Sequence, residues 1–280
     1  MTFSSSANFQ PTCVMTFIRS FDSGAGTLLV ETDAGRAYIK AKGNPGGPHV
    51  LACEYVGTRL ATLLDLPTFD YALIQVDEID ELPFANGKDF AEPGSAFATR
   101  SETGSTWGQD KRLLGRLANV DDVSRLVVFD TWVRNPDRYG PNGSRVNLDN
   151  VFFSSETSGF EVELRIMDLT HCFTNGHDLT ARVKQIGIVK DEAIYGLFPD
   201  FKPLLDREVV CATCDQLANL NADDVGEIVD SIPKDWSVRK PARDALQEFI
   251  LRRAEYVAET IEECLFGPTQ GDLFQTSDLP

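Results

Sequence analysis

Between residues 14 and 41, apolar and polar positions alternate in three short runs, VMTFIRSF, TLLVET and RAYIKA. The runs are separated by Ser23-Gly24-Ala25-Gly26 and Asp33-Ala34-Gly35, so the pattern predicts a three-strand meander with two glycine turns. After the Gly/Pro loop KGNPGGPH the period changes. Val56, Leu60, Leu63 and Leu64 recur at helical spacing, which predicts a helix over 49–64 stopped by Pro67. FDYALIQVDEI returns to a strand pattern, and 81–117 reads as loop-rich. NVDDVSRLVVFDTWVRN then places Val123, Leu126, Val127 and Val133 on one helical face, ending before Pro136. Residues 181–265 read as helices broken at FPDFKPLL and SIPKDWSVRKP, and ARDALQEFILRRAEYVAETIEECLF is one long amphipathic helix. The expected architecture is α+β and two-lobed: a small β-rich lobe with one main helix over 1–82, and a mainly helical large lobe over 83–280.

Composition changes this picture little. The chain has 280 residues, 42% hydrophobic and 25% charged, as an ordinary globular domain has. Its net charge of −17, from 43 acidic and 26 basic residues, speaks against nucleic acid and anionic membranes as direct partners. An anionic ligand would need a local cation or a metal ion. No run approaches the roughly 20 apolar residues that cross a bilayer. The opening MTFSSSANFQPTC lacks a basic segment followed by an apolar one, so no secretion signal is read. Six cysteines are scattered, and only Cys211 and Cys214 have metal-like spacing, with no second pair to complete a zinc site. A reduced, cytoplasmic protein with free thiols is expected. His49, His171 and His177 share no metal-binding spacing.

The chemistry concentrates in NPDRYGPNGSRVNLDNVFF, Asn135 to Phe153, and in RIMDLTHCF beyond it. If NVFF and FEVELRIM are the two strands of a hairpin turning at 154–159, the start of one lies beside the end of the other. Asn150 and Asp168 then meet at the open end, and Asp137 arrives from the loop leading in. Two oxygen ligands beside a free carboxylate suit Mg²⁺, which takes one or two protein oxygens and leaves the rest to water and phosphate. Asn135, Asp137 and Asn142 taken singly are common turn formers. The set follows the order of a kinase catalytic-loop Asp and Asn and then a metal-binding Asp.

The first lobe offers complementary parts. Lys40 lies near the end of the third strand, and Glu54 lies on the following helix, on one ridge with Gly57, Thr58 and Ala61. A strand lysine braced by a helix glutamate holds nucleotide phosphates in kinases. Lys42, two residues on, points to the same face and is a rival. Gly24 and Gly26 stand where a kinase places its phosphate-covering loop, although a glycine hairpin is common in itself.

With Lys40, Glu54, NPDR and MDLTHCF in this order, the chain resembles the HipA-like kinases, within the wider protein-kinase and phosphatidylinositol 3/4-kinase-like superfamily. YIKAKGNPGG, LACEYVGTRLATLLDLP, LVVFDTWVRNPDR and DNVFF…IMDLTHCF carry the likeness, with PGSAFATR and IVDSIPKDW adding to it. The resemblance implies that Lys40 holds ATP phosphates with Glu54 positioning it. It implies Asp137 as the group that orients the acceptor hydroxyl and takes its proton. Asn150 and Asp168 would hold Mg²⁺, with Asn142 as the alternative ligand because it stands at the commoner interval from Asp137. Ile74–Glu81, with Gln75, Val76 and Asp77, would form the hinge against which adenine packs. Asp168-Leu169-Thr170 replaces the usual Asp-Phe-Gly. The implied activity is ATP-dependent phosphoryl transfer, to a protein Ser or Thr in a toxin-like or regulatory setting, with a separate antitoxin or regulatory protein as partner. A small-molecule or lipid-headgroup acceptor, and a nucleotide-binding pseudokinase, stay open. Thr174 and Thr180, in the loop 173–183, are candidate phosphosites.

Overall fold

The computed structural model describes residues 9–156 and 159–267. The alternating runs form β1 (Val14–Ser20), β2 (Leu28–Thr32) and β3 (Gly35–Lys42), an antiparallel meander. Helix α1 (Pro48–Leu63) starts on Pro48, whose fixed φ and missing N–H suit a first helical position. After it come β4 (Tyr71–Val76) and β5 (Glu92–Arg100), and the five strands pair in the order β1-β2-β3-β5-β4.

Strand β5 lies inside the region expected to be loop. Its PGSAFATR stretch is rich in small residues, which weakens the strand pattern, yet Ala96, Phe97 and Ala98 are buried between β3 and β4. The sheet therefore runs past the expected boundary at residue 82, as far as Arg100. One face of the sheet packs Leu28, Val30, Ala37, Ile39, Ile74 and Val76 with Phe9 and Phe84 into a small core. The other face meets α1, which is buried from Val50 through Ala61. Such a helix has no solvated side and depends on neighbours all round.

Ser101–Thr103 carry the chain directly into β6 (Gly104–Thr106), the first strand of a second sheet ordered β6-β7-β8. β7 (Val151–Ser154) and β8 (Glu163–Ile166) form the expected hairpin, with Val151 opposite Ile166 and Ser154 opposite Glu163. Of the turn between them, Thr157 and Ser158 lie outside the described residues. The rest is helical: α2 (Lys111–Leu114), α3 (Asp121–Val133), α4 (Ile186–Val189), α5 (Arg207–Ala218), α6 (Ala222–Asp230) and α7 (Lys240–Phe266). Together these make the α+β arrangement of a β-sheet lobe and a helical part.

The large core joins α1, α3, the β7–β8 hairpin and α5–α7. Arg253 of α7 is fully buried and donates to the carbonyls of Thr131, Trp132, Val189 and Asp191, which ties the end of α3 to α4. Burial lowers its guanidinium to about 10, still charged at neutral pH. All six cysteines are free thiols; Cys53, Cys172 and Cys214 are buried and Cys264 is exposed. Among the described residues no helix is long and apolar enough to cross a membrane.

Candidate active site

Helix α3 ends at Arg134, which adopts a left-handed conformation, and Pro136 bars its continuation. The freed chain turns back on itself through Asn135. Its Nδ2 donates to Asp130 at 3.1 Å, and its Oδ1 accepts the Asp137 N–H at 3.2 Å. Asn135 is thus the turn former its residue type suggests. The turn delivers Asp137, nearly buried, to Asn150, whose Nδ2 donates to Asp137 Oδ2 at 2.8 Å.

Asn150 stands immediately before β7, at the open end of the hairpin, and Asp168 stands two residues beyond β8. Arg138 holds these ends together. Its Nε donates to Asp130 Oδ2 at 2.7 Å, Nη1 reaches the Asn150 carbonyl, and Nη2 reaches the Met167 carbonyl at 3.2 Å. Arg138 and Asp130 are both wholly buried, so this ion pair is one that can stand only with its hydrogen bonds complete. Burial raises the Asp130 carboxyl above its ordinary range, and Arg138 pulls it back.

The sheet supplies the cation. Lys40 Nζ lies 2.8 Å from Glu54 Oε2 and 3.1 Å from Asp168 Oδ1. Glu54 Oε2 also accepts the Leu169 N–H at 2.8 Å, so one carboxylate braces the lysine and the segment after Asp168 together. The small ridge of α1 serves this contact: a Cβ on Gly57 would lie 3.0 Å from Leu169 Cβ, so the glycine admits Leu169. Asp168 is itself in the left-handed region, at φ 54°, and its Oδ1 accepts from Thr170 at 2.8 Å. Burial disfavours the Asp168 charge, but Lys40 and Thr170 outweigh it and hold the carboxyl down at about 2. Burial likewise opposes charge on Lys40, and Asp168 and Glu54 overcome it and raise the ammonium. Glu54 is raised by burial more than Lys40 lowers it, because a single cation serves two carboxylates.

Asp137 Oδ1 is buried with no well-directed hydrogen bond, yet Arg145 Nη2 lies 2.5 Å from it. His171 Nδ1 is 3.5 Å from the other oxygen. These neighbours, with Arg138, Asp130 and Thr170, were not read from the sequence. Arg138 stood in the quoted NPDR, but nothing in a linear pattern distinguishes a buried arginine from a solvated one.

Other expected site residues lie elsewhere. Asn142 is exposed in the loop 140–150, whereas Asn150 is buried against Asp137. Lys42 reaches only the Pro93 carbonyl, at 3.0 Å, and approaches Asp235 at 4.0 Å. Gln75 and Val76 close the edge strand β4, and Asp77 follows it. Val76 is buried in the small core, on the face of the sheet opposite Phe97, whose register partner is Lys40. From Asp77 the chain returns to the same sheet as β5, so Ile74–Glu81 does not join the two parts. Ser101–Thr103 does, with Glu102 buried and ion-paired to Arg100 and to Arg165 of β8. The expected hinge follows β4 because the small-residue strand β5 carries little strand pattern of its own; with β5 in place, the crossing falls after Arg100. Gly26 (φ +59°) lies tight against Phe84 and Pro45, and a Cβ on Gly46 would approach the Gly24 carbonyl, so this turn leans on the loop after β3. Thr174 is half-buried beside Cys53 and Thr180 caps a short turn.

The donor set fits a divalent cation. Asn150 commits its amide nitrogen to Asp137, leaving the oxygen as its available ligand, and Asp168 Oδ2 enters no hydrogen bond among the described residues. Two oxygens of this kind match the partial protein shell Mg²⁺ accepts. Among the described residues no group of three or more His, Cys, Asp or Glu could hold a metal.

Comparison with known proteins places this geometry. A search of curated proteins finds no match. Among solved structures, the Helicobacter pylori proinflammatory kinase CtkA is similar over 91% of this chain and 98% of its own, with 13% identity and a TM-score of 0.56. The Mycobacterium tuberculosis PknI kinase domain aligns over 94% and 99% at 13% identity, with a TM-score of only 0.27. The first likeness gives a kinase fold. The sequence profile of the HipA-like kinases matches residues 14–266, nearly the whole chain, and the protein belongs to the HipA-like kinase family.

Proposed function

We propose that this kinase uses ATP and Mg²⁺ to phosphorylate a Ser or Thr hydroxyl of a protein, with Asp137 as base. The observation that carries the reading is the convergence of Glu54 and Asp168 on Lys40 Nζ, at 2.8 and 3.1 Å, next to a buried Asp137–Asn150 pair. Phosphoryl transfer asks a protein mainly for positioning and charge neutralisation, and these groups supply both.

In this reading Lys40 exchanges part of its pairing with Asp168 for the nucleotide phosphates, and Glu54 keeps it oriented. Asn150 and Asp168 would hold the divalent cation, which neutralises charge on the phosphate oxygens. Asp137 orients the acceptor hydroxyl and takes its proton as the hydroxyl oxygen bonds to the γ-phosphorus and the bond to the ADP oxygen breaks. Arg138 keeps Asp137, Asn150 and Met167 in fixed relation, so the base and the ligands cannot drift apart. The six free thiols suit a reducing, cytoplasmic setting. The partners are ATP, a protein acceptor and a separate antitoxin-like or regulatory protein.

Arg145 favours a second reading. It covers Asp137 Oδ1, where an acceptor would approach, as in a nucleotide-binding module without turnover. One experiment separates the two: thermal shift of the full chain with Mg²⁺-ATP, then transfer of radiolabelled γ-phosphate, for wild type and Asp137→Ala. The kinase reading expects nucleotide stabilisation of both proteins and label transfer to Ser or Thr by wild type alone. Stabilisation without transfer by wild type would establish the pseudokinase, and label on a lipid or small molecule would replace the protein acceptor.

A further inference from the structure

The segment IVDSIPKDW, at the end of α6 and beyond it, lies outside the site just described but grips both elements that carry the Lys40–Glu54 pair. We infer that Ser231–Trp236 is a clamp from the large lobe that keeps this pair assembled, with Asp235 as its principal positioning residue. The inference rests on the proposed kinase function.

The grip on the sheet begins with an irregularity. Lys40 is paired with Phe97 of β5, but Lys42 is paired with Glu92, so β5 bulges between those positions. A bulge releases backbone groups from the ladder, and buried peptide groups need other partners. Asp235 Oδ2 accepts the Ser95 N–H at 2.7 Å, and Trp236 Nε1 donates to the Ser95 carbonyl at 2.9 Å. Two successive side chains thus take the place of a missing strand partner. The seat is shaped for Asp235: Gly94 is at φ +134°, and a Cβ there would stand 2.5 Å from Asp235 Oδ2.

The grip on α1 is separate. Ser231 Oγ accepts from Arg59 Nη1 at 2.6 Å, lies 3.1 Å from Tyr55 Oη, and donates to the Ile228 carbonyl. Glu227 adds an ion pair with Arg59 at 3.5 Å. The Trp236 ring meets Tyr55 edge-on, with centroids 5.9 Å apart, and Tyr55 in turn meets Phe97 at 6.3 Å. Phe97 is the strand partner of Lys40, and Tyr55 is the helix neighbour of Glu54. The clamp therefore fixes both members of the ion pair through residues next to them. The physical consequence is a helix α1 that does not swing to switch the enzyme, and a Lys40–Glu54 pair formed without nucleotide or an activating phosphate.

The test compares Asp235→Ala, Asp235→Asn and wild type as full chains, each also in a Glu54→Ala background. Measurements are Mg²⁺-ATP affinity by calorimetry, transfer kinetics, and hydrogen exchange of α1. Asp235→Ala is expected to lower kcat/KM by about tenfold to a hundredfold, the range for misplaced catalytic groups, and to speed exchange in α1. Asp235→Asn, whose amide oxygen still accepts the Ser95 N–H, restores most of the loss. In the Glu54→Ala background Asp235→Ala should have almost no further effect on Mg²⁺-ATP affinity, whereas a merely structural role would give additive losses. Wild-type kinetics and exchange in Asp235→Ala, or an undiminished effect without Glu54, would overturn the clamp. A wild type that neither binds Mg²⁺-ATP nor transfers phosphate sinks the kinase reading instead, and exchange in α1 still reports on the clamp.

Discussion

Lys40 and Asp168, 128 positions apart in sequence, meet at 3.1 Å and so join the β-sheet to the segment beyond the hairpin. The contact leaves Lys40 between two carboxylates, Glu54 and Asp168, with most of its surface removed from water. Its charge is matched twice over, which in the proposed function lets it transfer part of its pairing to phosphate.

Replacing Lys40 should therefore separate it from its rival. Lys40→Met is expected to reduce kcat/KM for ATP by about a hundredfold, as loss of a charge-stabilising donor does. Lys42→Met, which loses a contact to the Pro93 carbonyl and a long ion pair to Asp235 but leaves the Asp235–Ser95 hydrogen bond in place, should stay within a few-fold of wild type in the same steady-state assay.

The two asparagines divide as sharply. Asn150→Ala removes the amide that holds Asp137 and supplies the expected ligand oxygen, and should raise the Mg²⁺ concentration needed for half-maximal activity by about tenfold to a hundredfold. Asn142→Ala, at an exposed loop position, should leave that titration unchanged. A reversed ranking would move the metal site into the loop 140–150.

Arg138 and Asp130 should show strong coupling. Arg138→Met alone leaves a buried carboxylate unpaired and is expected to cost about 3–5 kcal/mol in urea unfolding. Adding Asp130→Asn should recover a large part of that stability, because the orphaned charge is gone, while activity stays low since the Asn150 and Met167 carbonyls still lack their donor.

Burial pushes the Cys53 thiol up to about 12 and raises Cys172 well above its ordinary value. Both shifts are upward, so their contribution to stability is fully present below the unfolded thiol pKa near 9 and is lost as pH rises from there. Each buried thiol should steepen the decline by up to about 1.4 kcal/mol per pH unit between about 9 and 12. Thermal unfolding from pH 8 to 11 should show a shallower fall for Cys53→Ala/Cys172→Ala than for wild type, whatever the offset between the two curves.

Periodicity and turn chemistry, which act over a few residues, were legible in the chain itself. The alternation in VMTFIRSF, TLLVET and RAYIKA, the helical spacing of α1 and α3, and the stop at Pro136 all appear in the structure where the residues place them. So does the hairpin that carries Asn150 and Asp168 to one end, because two short strands joined by a turn can pair in few ways. β5 escaped because its alternation is carried by Ala, Gly and Ser, whose place in the sheet comes from neighbours on both sides and not from their own pattern.

What only tertiary structure decided is which charges lose their water and whom they then meet. Arg138 reads like any loop arginine, and the crossing between lobes at Ser101–Thr103 depends on a strand order that no local period encodes. Burial makes these choices consequential: a guanidinium or carboxylate removed from water must find its complement within about 3 Å, and that complement can come from anywhere in the chain.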